Sequence, residues 1–205
     1  MIKDIFPLKI YEAQFENYNL IKQDAVDKVM PFFENKEDAK HDLMRNSYSI
    51  ANTVRDLHKR VDLSAIVEFM ELHINTYWQQ IGYSHRLNPY ILHLWANNIP
   101  IGGNLESHHH NPNVMAGVFY LNASSDMGNL RLENPLDLLL GRMPWENNFG
   151  PVNLDHEVSI NDGKLVLFPG WLKHRTLVNK TDNNRLVIGM NIGCQGPNIF
   201  FNESG

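Results

Sequence analysis

The chain has 205 residues, of which 43% are hydrophobic and 20% are charged, and its formal net charge is −5. This composition is typical of a soluble globular domain and excludes disordered and fibrous classes, and without a basic stripe we expect no nucleic-acid partner. The single cysteine, Cys194, excludes an intrachain disulfide, and no apolar run reaches the roughly 18 residues of a membrane span, so we expect a cytoplasmic protein that makes no membrane contact.

The first 85 residues predict mostly helices. Residues 63–81 carry apolar side chains at spacings of three and four, which is one face of a helix. A weaker helical pattern between Leu20 and Met30 is interrupted at Pro31. Before it, residues 7–15 predict an opening strand.

From Pro89 onward, short β-rich runs alternate with clusters of Asn, Gly, Pro and Asp, which indicates an antiparallel sandwich or barrel. No boundary is visible, so we expect a single domain over 1–205, with a helical layer at about 1–85 packed on a β core at about 89–193. The predicted strands are residues 90–96, 114–121, 129–133, 164–168, 174–178 and 185–193.

One connection in the β-rich half is unusually long. Residues 134–160 contain several prolines together with Trp145 and Phe149, and they exceed an ordinary loop. Because insertions of this kind commonly form lids, this stretch is our candidate for covering a substrate.

Three consecutive histidines begin the pattern that carries chemistry. Side chains alternate along a strand, so His108 and His110 are expected on one side and His109 on the other. His174 follows a Pro-Gly turn at the start of a later strand and can supply a third imidazole from a neighbouring position. Taken alone, such a run is more often solvated than metal-binding.

The last predicted strand has two different faces. One carries Arg185, Val187, Gly189 and Asn191, whereas the other is wholly apolar. A buried arginine needs an anion or another hydrogen-bonded partner, and its guanidinium can hold a carboxylate through two parallel bonds. The alternative for Arg185 is a structural ion pair, for example with Glu133.

Together these segments resemble a known family. A His-x-His run, "FYLN", "LVLFPGWLKH" and "NNRLVIGMN" follow one another between Tyr90 and Gly193, about half of the chain. This order is similar to that of the iron(II)- and 2-oxoglutarate-dependent oxygenases, in particular to a branch that resembles prolyl 4-hydroxylases. The resemblance implies a mainly β fold, a double-stranded β-helix (jelly roll, cupin-like) with the N-terminal helices packed on it.

The resemblance implies His108 and His174 as metal ligands, with His110 in the position that a carboxylate usually occupies. The usual set is two histidines and one carboxylate. Glu106, two residues before His108, is a candidate for the missing carboxylate, and His109 is expected to point outward.

For the cosubstrate, the resemblance implies that Arg185 binds the far carboxylate of 2-oxoglutarate. Tyr120 and Asn191 match further positions of the cosubstrate site. Val187 stands where the related pattern has a serine, and the loss of that hydroxyl weakens binding by roughly 1 kcal/mol.

The implied cofactors are Fe(II), 2-oxoglutarate as cosubstrate, O2 and, as an option, ascorbate. The implied reaction converts 2-oxoglutarate to succinate and CO2 while it hydroxylates an organic substrate, either a small molecule or a prolyl or other residue of a peptide or protein. The sequence leaves the oligomeric state open, a homodimer included.

Two other functions remain open at this point. One is a three-histidine, cupin-type iron dioxygenase that does not use 2-oxoglutarate, in which Arg185 binds the substrate. The other is a non-catalytic β-sandwich that binds a metal or ligand, because a fold and a metal do not guarantee turnover. Five further histidines are assigned to packing or the surface: His58, His73, His85, His93 and His156.

Overall fold

The computed structural model describes residues 7–34, 52–136 and 155–196. Most of the predicted lid, including Trp145 and Phe149, lies outside these residues. The helices are α1 (Lys22–Val29), α2 (Pro31–Glu34) and α3 (Ser64–Ile81). The strands are β1 (Tyr11–Gln14), β2 (Asn52–Arg55), β3 (Asn88–Ile99), β4 (Met115–Asn122), β5 (Leu130–Glu133), β6 (Asp155–Val158), β7 (Lys164–Pro169), β8 (His174–Thr176) and β9 (Arg185–Gln195).

The strands form two antiparallel sheets. The larger sheet has the order β1-β7-β4-β9-β3-β2, and the smaller has the order β6-β5-β8. Neighbours in the larger sheet come from distant parts of the chain, so that β4 lies between β7 and β9. The two sheets pack as a jelly roll, which confirms the predicted fold class.

Helix α3 covers the outer face of the larger sheet. It begins one residue after the predicted start, where the amide of Ser64 donates to the Asp62 carboxylate at 3.0 Å. It ends at Ile81 and is followed by Gly82, whose φ of 88° is the left-handed conformation that favours glycine after a helix. Its buried stripe includes Ile66, Met70 and Ile74, as the spacing predicts.

Strand β9 divides the apolar interior into two clusters. Leu186, Ile188, Met190 and Ile192 pack toward the helices, whereas Val187 packs between the two sheets. The cluster on the helix side, the outer core, is the larger of the two, and burial of its apolar surface is the main contribution to the stability of the fold. The polar face of β9 lies on the side of the cluster between the two sheets, and a cavity remains beside that face.

The N-terminal part is less helical than its sequence indicates. Strand β1 confirms the predicted opening strand, whereas β2 was not predicted, and the two strands form the edges of the larger sheet. Helix α1 stops before Pro31 as expected, yet Pro31 opens a further short helix, because proline is well tolerated at the first helical position. Among the described helices, none has the length and apolar character needed to cross a bilayer.

Phe119 on β4 tests the outer core. Its side chain is fully buried and its ring packs edge-on against Tyr18, with 5.4 Å between the ring centroids. We expect Phe119→Ala to lower the free energy of unfolding by about 3–5 kcal/mol, because it leaves a cavity. Urea denaturation measures the free energy of unfolding. Leu72→Ala is the control, because that side chain is 63% exposed and its loss should change the free energy of unfolding little. Equal effects of the two variants would contradict the position of the core.

Candidate active site

A cavity of about 220 Å³ lies between the two sheets. All three predicted metal ligands line it, together with Arg185 and Tyr120. Val187, Gly189 and Asn191 also line it, so the polar face of β9 faces the cavity, as its alternation predicts. The structure thus brings residues from both halves of the predicted motif to one enclosed space.

The His-x-His segment is held to β8 by its backbone. The amide of His108 donates to the carbonyl of His174 at 3.0 Å, and the amide of His174 donates back at 2.9 Å. This is an isolated bridge, not a regular strand. His108 and His110 nevertheless face the cavity while His109 is exposed, so the predicted alternation is correct over these three residues.

Gly170 fixes the second attachment of this segment. The amide of His110 donates to the Gly170 carbonyl at 2.7 Å. A Cβ atom at Gly170 would overlap the carbonyl oxygen of Asn113, so the backbones approach more closely than any side chain allows. The Pro-Gly turn of the "LFPGW" motif therefore positions His110 as well as His174.

The three imidazoles converge through their Nε2 atoms. The Nδ1 of His108 donates to the Glu106 carbonyl at 2.7 Å, and the Nδ1 of His174 donates to the Leu172 carbonyl at 2.9 Å. Because a neutral imidazole carries one proton, these bonds leave both Nε2 lone pairs directed inward. The Nε2 atoms of His110 and His174 are 3.3 Å apart, and one ligating atom from each histidine lies within 4.8 Å of the others.

Burial keeps all three rings neutral at physiological pH. It lowers the pKa of His110 to about 4, and it also lowers the pKa of His108. For His174, burial is again the main cause, reinforced by His108 and His110, and the pKa falls well below its ordinary value. Neutral imidazole is the form that binds a metal.

The donor set contains no carboxylate from Glu106. Its side chain accepts a hydrogen bond from the Asn104 amide at 3.0 Å and is not part of the convergent group. Glu106 contributes its backbone carbonyl, which orients His108. Three neutral, convergent imidazoles, two of them oriented through Nδ1, suit a divalent first-row metal ion.

Arg185 is fully buried at the other end of the polar face. Its Nη1 donates to the carbonyls of Met127, at 2.6 Å, and Gly128, and its Nη2 donates to the Thr176 hydroxyl at 2.7 Å. The structural ion pair with Glu133 does not form, because that carboxylate lies 3.5 Å from Nε of Arg175. Burial lowers the pKa of Arg185 to about 10, so the guanidinium stays charged at neutral pH.

One edge of this guanidinium remains available. Its Nε is buried without a hydrogen-bond partner in the described structure, and Nη2 has a second N–H beyond the one given to Thr176. An unsatisfied buried donor is costly, and a carboxylate is the acceptor that matches two adjacent N–H groups.

Thr176 supplies a hydroxyl that the sequence pattern did not reveal. Its Oγ1 accepts from Arg185 and from the amide of Leu105 at 2.9 Å. With both lone pairs occupied, its proton is free to be donated to an acceptor in the cavity. Thr176 therefore brings a hydroxyl donor beside Arg185, and no spacing in the sequence pattern indicated it.

Tyr120 and Asn191 lie in the cavity wall, as expected from their motif positions. Burial raises the pKa of the Tyr120 phenol, and nearby Arg185 partly opposes this shift, so the phenol remains protonated and able to donate. The Oδ1 of Asn191 is buried without a partner in the described structure and lies beside His110.

The wall opposite the smaller sheet comes partly from residues that sequence reasoning missed. Trp95 lines the cavity, and its indole ring lies 5.6 Å from the His110 ring. A Cβ atom at Gly189 would meet Cε2 of this indole at 2.5 Å, so the ring rests directly on the strand backbone. His93, assigned to packing or the surface, is exposed but also lines the cavity.

Comparison with known proteins agrees with this arrangement. Residues 93–191 match a family model described as putative 2OG-Fe(II) oxygenase, and this range contains all three histidines and Arg185. No curated protein matches the chain.

Several solved structures share the fold at low sequence identity. A prolyl-4-hydroxylase from Pseudomonas putida aligns with a TM-score of 0.61 and 16% identity over 92% of this chain and 94% of its own. The non-heme alpha-ketoglutarate-dependent carbocyclase SnoK from nogalamycin biosynthesis aligns with a TM-score of 0.64 and 9% identity, over 90% of this chain and 79% of its own. HygX from Streptomyces hygroscopicus, solved with nickel and 2-oxoglutarate, aligns with a TM-score of 0.59 and 12% identity, over 94% of this chain and 84% of its own.

The matching segment and the shared jelly roll lead to one conclusion. The match spans both the histidine pair at 108 and 110 and the strand that begins with Arg185. The segment of the chain that carries the candidate site therefore matches the family of 2OG-Fe(II) oxygenases.

Proposed function

We propose that this protein is a hydroxylase that uses Fe(II), 2-oxoglutarate and O2, and that His108, His110 and His174 bind the metal. The observation that carries the proposal is the convergence of three imidazoles, two of which, those of His108 and His174, donate their Nδ1 hydrogens to backbone carbonyls, in the same cavity as a buried guanidinium. Two structures of one neighbour support the cofactors, since HygX was solved with iron and with nickel and 2-oxoglutarate.

The roles of the protein groups follow from their positions. His108, His110 and His174 hold the metal with neutral donors. Bound Fe(II) and 2-oxoglutarate supply the oxidising chemistry, in which O2 is consumed, succinate and CO2 are released and a hydroxyl group is added to the substrate. The protein's part is to fix these groups and limit the access of water.

Arg185 binds the far carboxylate of 2-oxoglutarate in this proposal. Its Nε donates to no protein partner in the described structure, and Tyr120 and Thr176 offer hydroxyl donors close to it. Asn191 offers an acceptor beside His110. The substrate is an organic molecule, a prolyl or other peptide residue among the candidates, as the prolyl-4-hydroxylase neighbour suggests.

A three-histidine dioxygenase without 2-oxoglutarate is the second candidate. The observation that favours it is the convergent donor group, which contains three histidines and no carboxylate. In that case the Nε edge of Arg185 holds the substrate.

The reaction itself separates these functions. We expect succinate to form when the protein is incubated with Fe(II), ascorbate, O2 and 2-oxoglutarate, because the bound metal and cosubstrate react slowly even without substrate. Succinate is measured by chromatography, with His174→Ala as the inactive control. Oxygen uptake that needs no 2-oxoglutarate would support the second candidate, and neither activity with metal retained would support a non-catalytic protein.

The histidine assignments make a separate prediction about metal retention. We expect His174→Ala to abolish retention of Fe(II) or Mn(II), because it removes one of three donors, whereas His109→Ala retains the metal because that ring is exposed. Titration calorimetry under anaerobic conditions measures binding, and circular dichroism checks the fold. Metal loss in His109→Ala with retention in His174→Ala would show that the register of the run is wrong.

The role of Arg185 predicts a loss of cosubstrate affinity. Arg185→Lys keeps the charge but loses the planar fork, and we expect its Kd for 2-oxoglutarate to rise about a hundredfold, or about 2.8 kcal/mol, while the metal still binds. Calorimetric titration of the metal-loaded protein measures the Kd. Arg175→Lys, at an arginine paired with Asp155 at 2.5 Å, is the matched control. Unchanged affinity in folded Arg185→Lys would refute the role.

A further inference from the structure

The ring of His110 is held differently from the other two imidazoles. The Nδ1 atoms of His108 and His174 each donate to a backbone carbonyl, which fixes both rings. Among the described residues, no backbone carbonyl accepts a hydrogen bond from the ring of His110, whose Nε2 lies 3.3 Å from Nε2 of His174. If His110 binds a metal through Nε2 as its neighbours do, its Nδ1 proton needs another acceptor.

The backbone of His110 itself offers no such acceptor. Its amide donates to the Gly170 carbonyl at 2.7 Å, and its own carbonyl accepts from the amide of Asn113 at 2.8 Å. A neutral imidazole carries one proton, so a ring that binds a metal through Nε2 carries this proton on Nδ1. The two nitrogens lie on different sides of the ring, so the acceptor for Nδ1 must come from the cavity wall and not from the side of His174.

Asn191 lies in the cavity wall next to His110. It follows Gly189 by two residues on β9, so the two residues share the face that lines the cavity. Gly189 pairs with Trp95, whose indole ring is 5.6 Å from the His110 ring. Burial lowers the pKa of His110 to about 4, and the adjacent Asn191 side chain, as a hydrogen-bonding group, opposes this shift. The register and the electrostatics thus agree that the two side chains are neighbours.

Asn191 carries an acceptor that has no donor. Its Oδ1 is buried and accepts no hydrogen bond in the described structure. Leaving a buried acceptor unpaired is costly, so a donor is expected at this place. The carboxylates of 2-oxoglutarate cannot satisfy it, because an ionised carboxylate only accepts hydrogen bonds. A ring that needs an acceptor and an amide that needs a donor therefore lie side by side.

We propose that Asn191 is the positioning residue for His110, and that its Oδ1 accepts the Nδ1 proton when Nε2 binds the metal. This rests on the function proposed above. An acceptor on the far nitrogen fixes the tautomer and the orientation of a ligating imidazole and makes it a stronger donor. The effect matters most at His110, because this neutral ring stands where the usual ligand set has a carboxylate.

The first test measures the affinity for Zn(II), which has no redox chemistry. Asn191→Leu keeps a similar volume and removes the acceptor, and we expect its Kd for Zn(II) to rise about tenfold to a hundredfold. Asn191→Asp retains an acceptor, so its Kd should be no higher than that of the wild-type protein. Competition with a chromogenic chelator measures each Kd, and circular dichroism checks the fold. Equal affinity of wild-type protein and folded Asn191→Leu would overturn the inference.

The matched control is Asn97→Leu, which makes the same change elsewhere in the same cavity. The Oδ1 of Asn97 accepts the Thr53 hydroxyl proton at 2.7 Å and is thus already paired. Asn97 is the partner of Val187, four residues before Asn191 on β9, or about 13 Å along the strand. We expect its Kd for Zn(II) to stay at the wild-type value. The same rise in both variants would mean that cavity polarity in general sets the affinity, which would overturn the role of Asn191.

The second test needs no variant to fold. In Zn(II)-loaded wild-type protein with 15N-labelled histidine, NMR should show the His110 proton on Nδ1, protected from exchange with water and in nuclear Overhauser contact with the Asn191 amide. A change in packing alone would not produce this signature. A His110 ring with its proton on Nε2, or without contact to Asn191, would overturn the inference even if Asn191→Leu did not fold.

These measurements also separate the inference from the proposed function. Failure of Zn(II) to bind the wild-type protein would refute the metal site of the proposed function, and the role of Asn191 with it. Normal Zn(II) binding in Asn191→Leu together with a raised Kd for 2-oxoglutarate would overturn the present inference alone. In that case Asn191 would contact the cosubstrate and not the ligand His110.

Discussion

The site depends on a pair of backbone hydrogen bonds. The reciprocal bonds between His108 and His174 join the His-x-His segment to β8, although the two residues are far apart in the chain. They determine how the rings are placed, because each ring then reaches a backbone carbonyl through Nδ1. A side chain restrained at both its backbone and its ring loses little further freedom when it binds a ligand, so much of the ordering cost is met during folding.

The two faces of the larger sheet have different roles, one in the stability of the fold and the other in the candidate site. One face of β9 and the stripe of α3 form the outer core, which contains most of the buried apolar surface. The other face of β9 is free to carry Arg185 and Asn191, whose unsatisfied atoms would be costly in a core. The protein can therefore retain polar groups in the cavity because the helices stabilise the sheet from the other side.

Sequence periodicity was sufficient for the elements whose patterns are local. The spacing of three and four predicted α3 within one residue of its start, and alternation along β9 separated the apolar face from the cavity face. The histidine positions followed from alternation together with the order of motifs. Pairing between distant strands carried no local signal, so β2 was not recognised as a strand, and β6 was read as part of a long loop.

The same limit applied to the residues of the site. Thr176 and Trp95 have ordinary strand positions, and only the register of their neighbours shows that they face the cavity. For Arg185, the sequence predicted that a buried guanidinium needs partners, but it did not predict which ones. Its acceptors are the carbonyls of Met127 and Gly128, on a distant turn. Such contacts arise from the fold as a whole, and no spacing in the chain encodes them.

The contact between Trp95 and Gly189 has a consequence for the size of the molecule that fits. The indole rests on a backbone without a side chain, so a single methyl group at position 189 would push the ring several tenths of an ångström or more into the chamber. The depth available beside the imidazoles is thus set at a residue that has no functional group of its own. Relatives with alanine or serine at this place would accept narrower molecules with the same chemical apparatus.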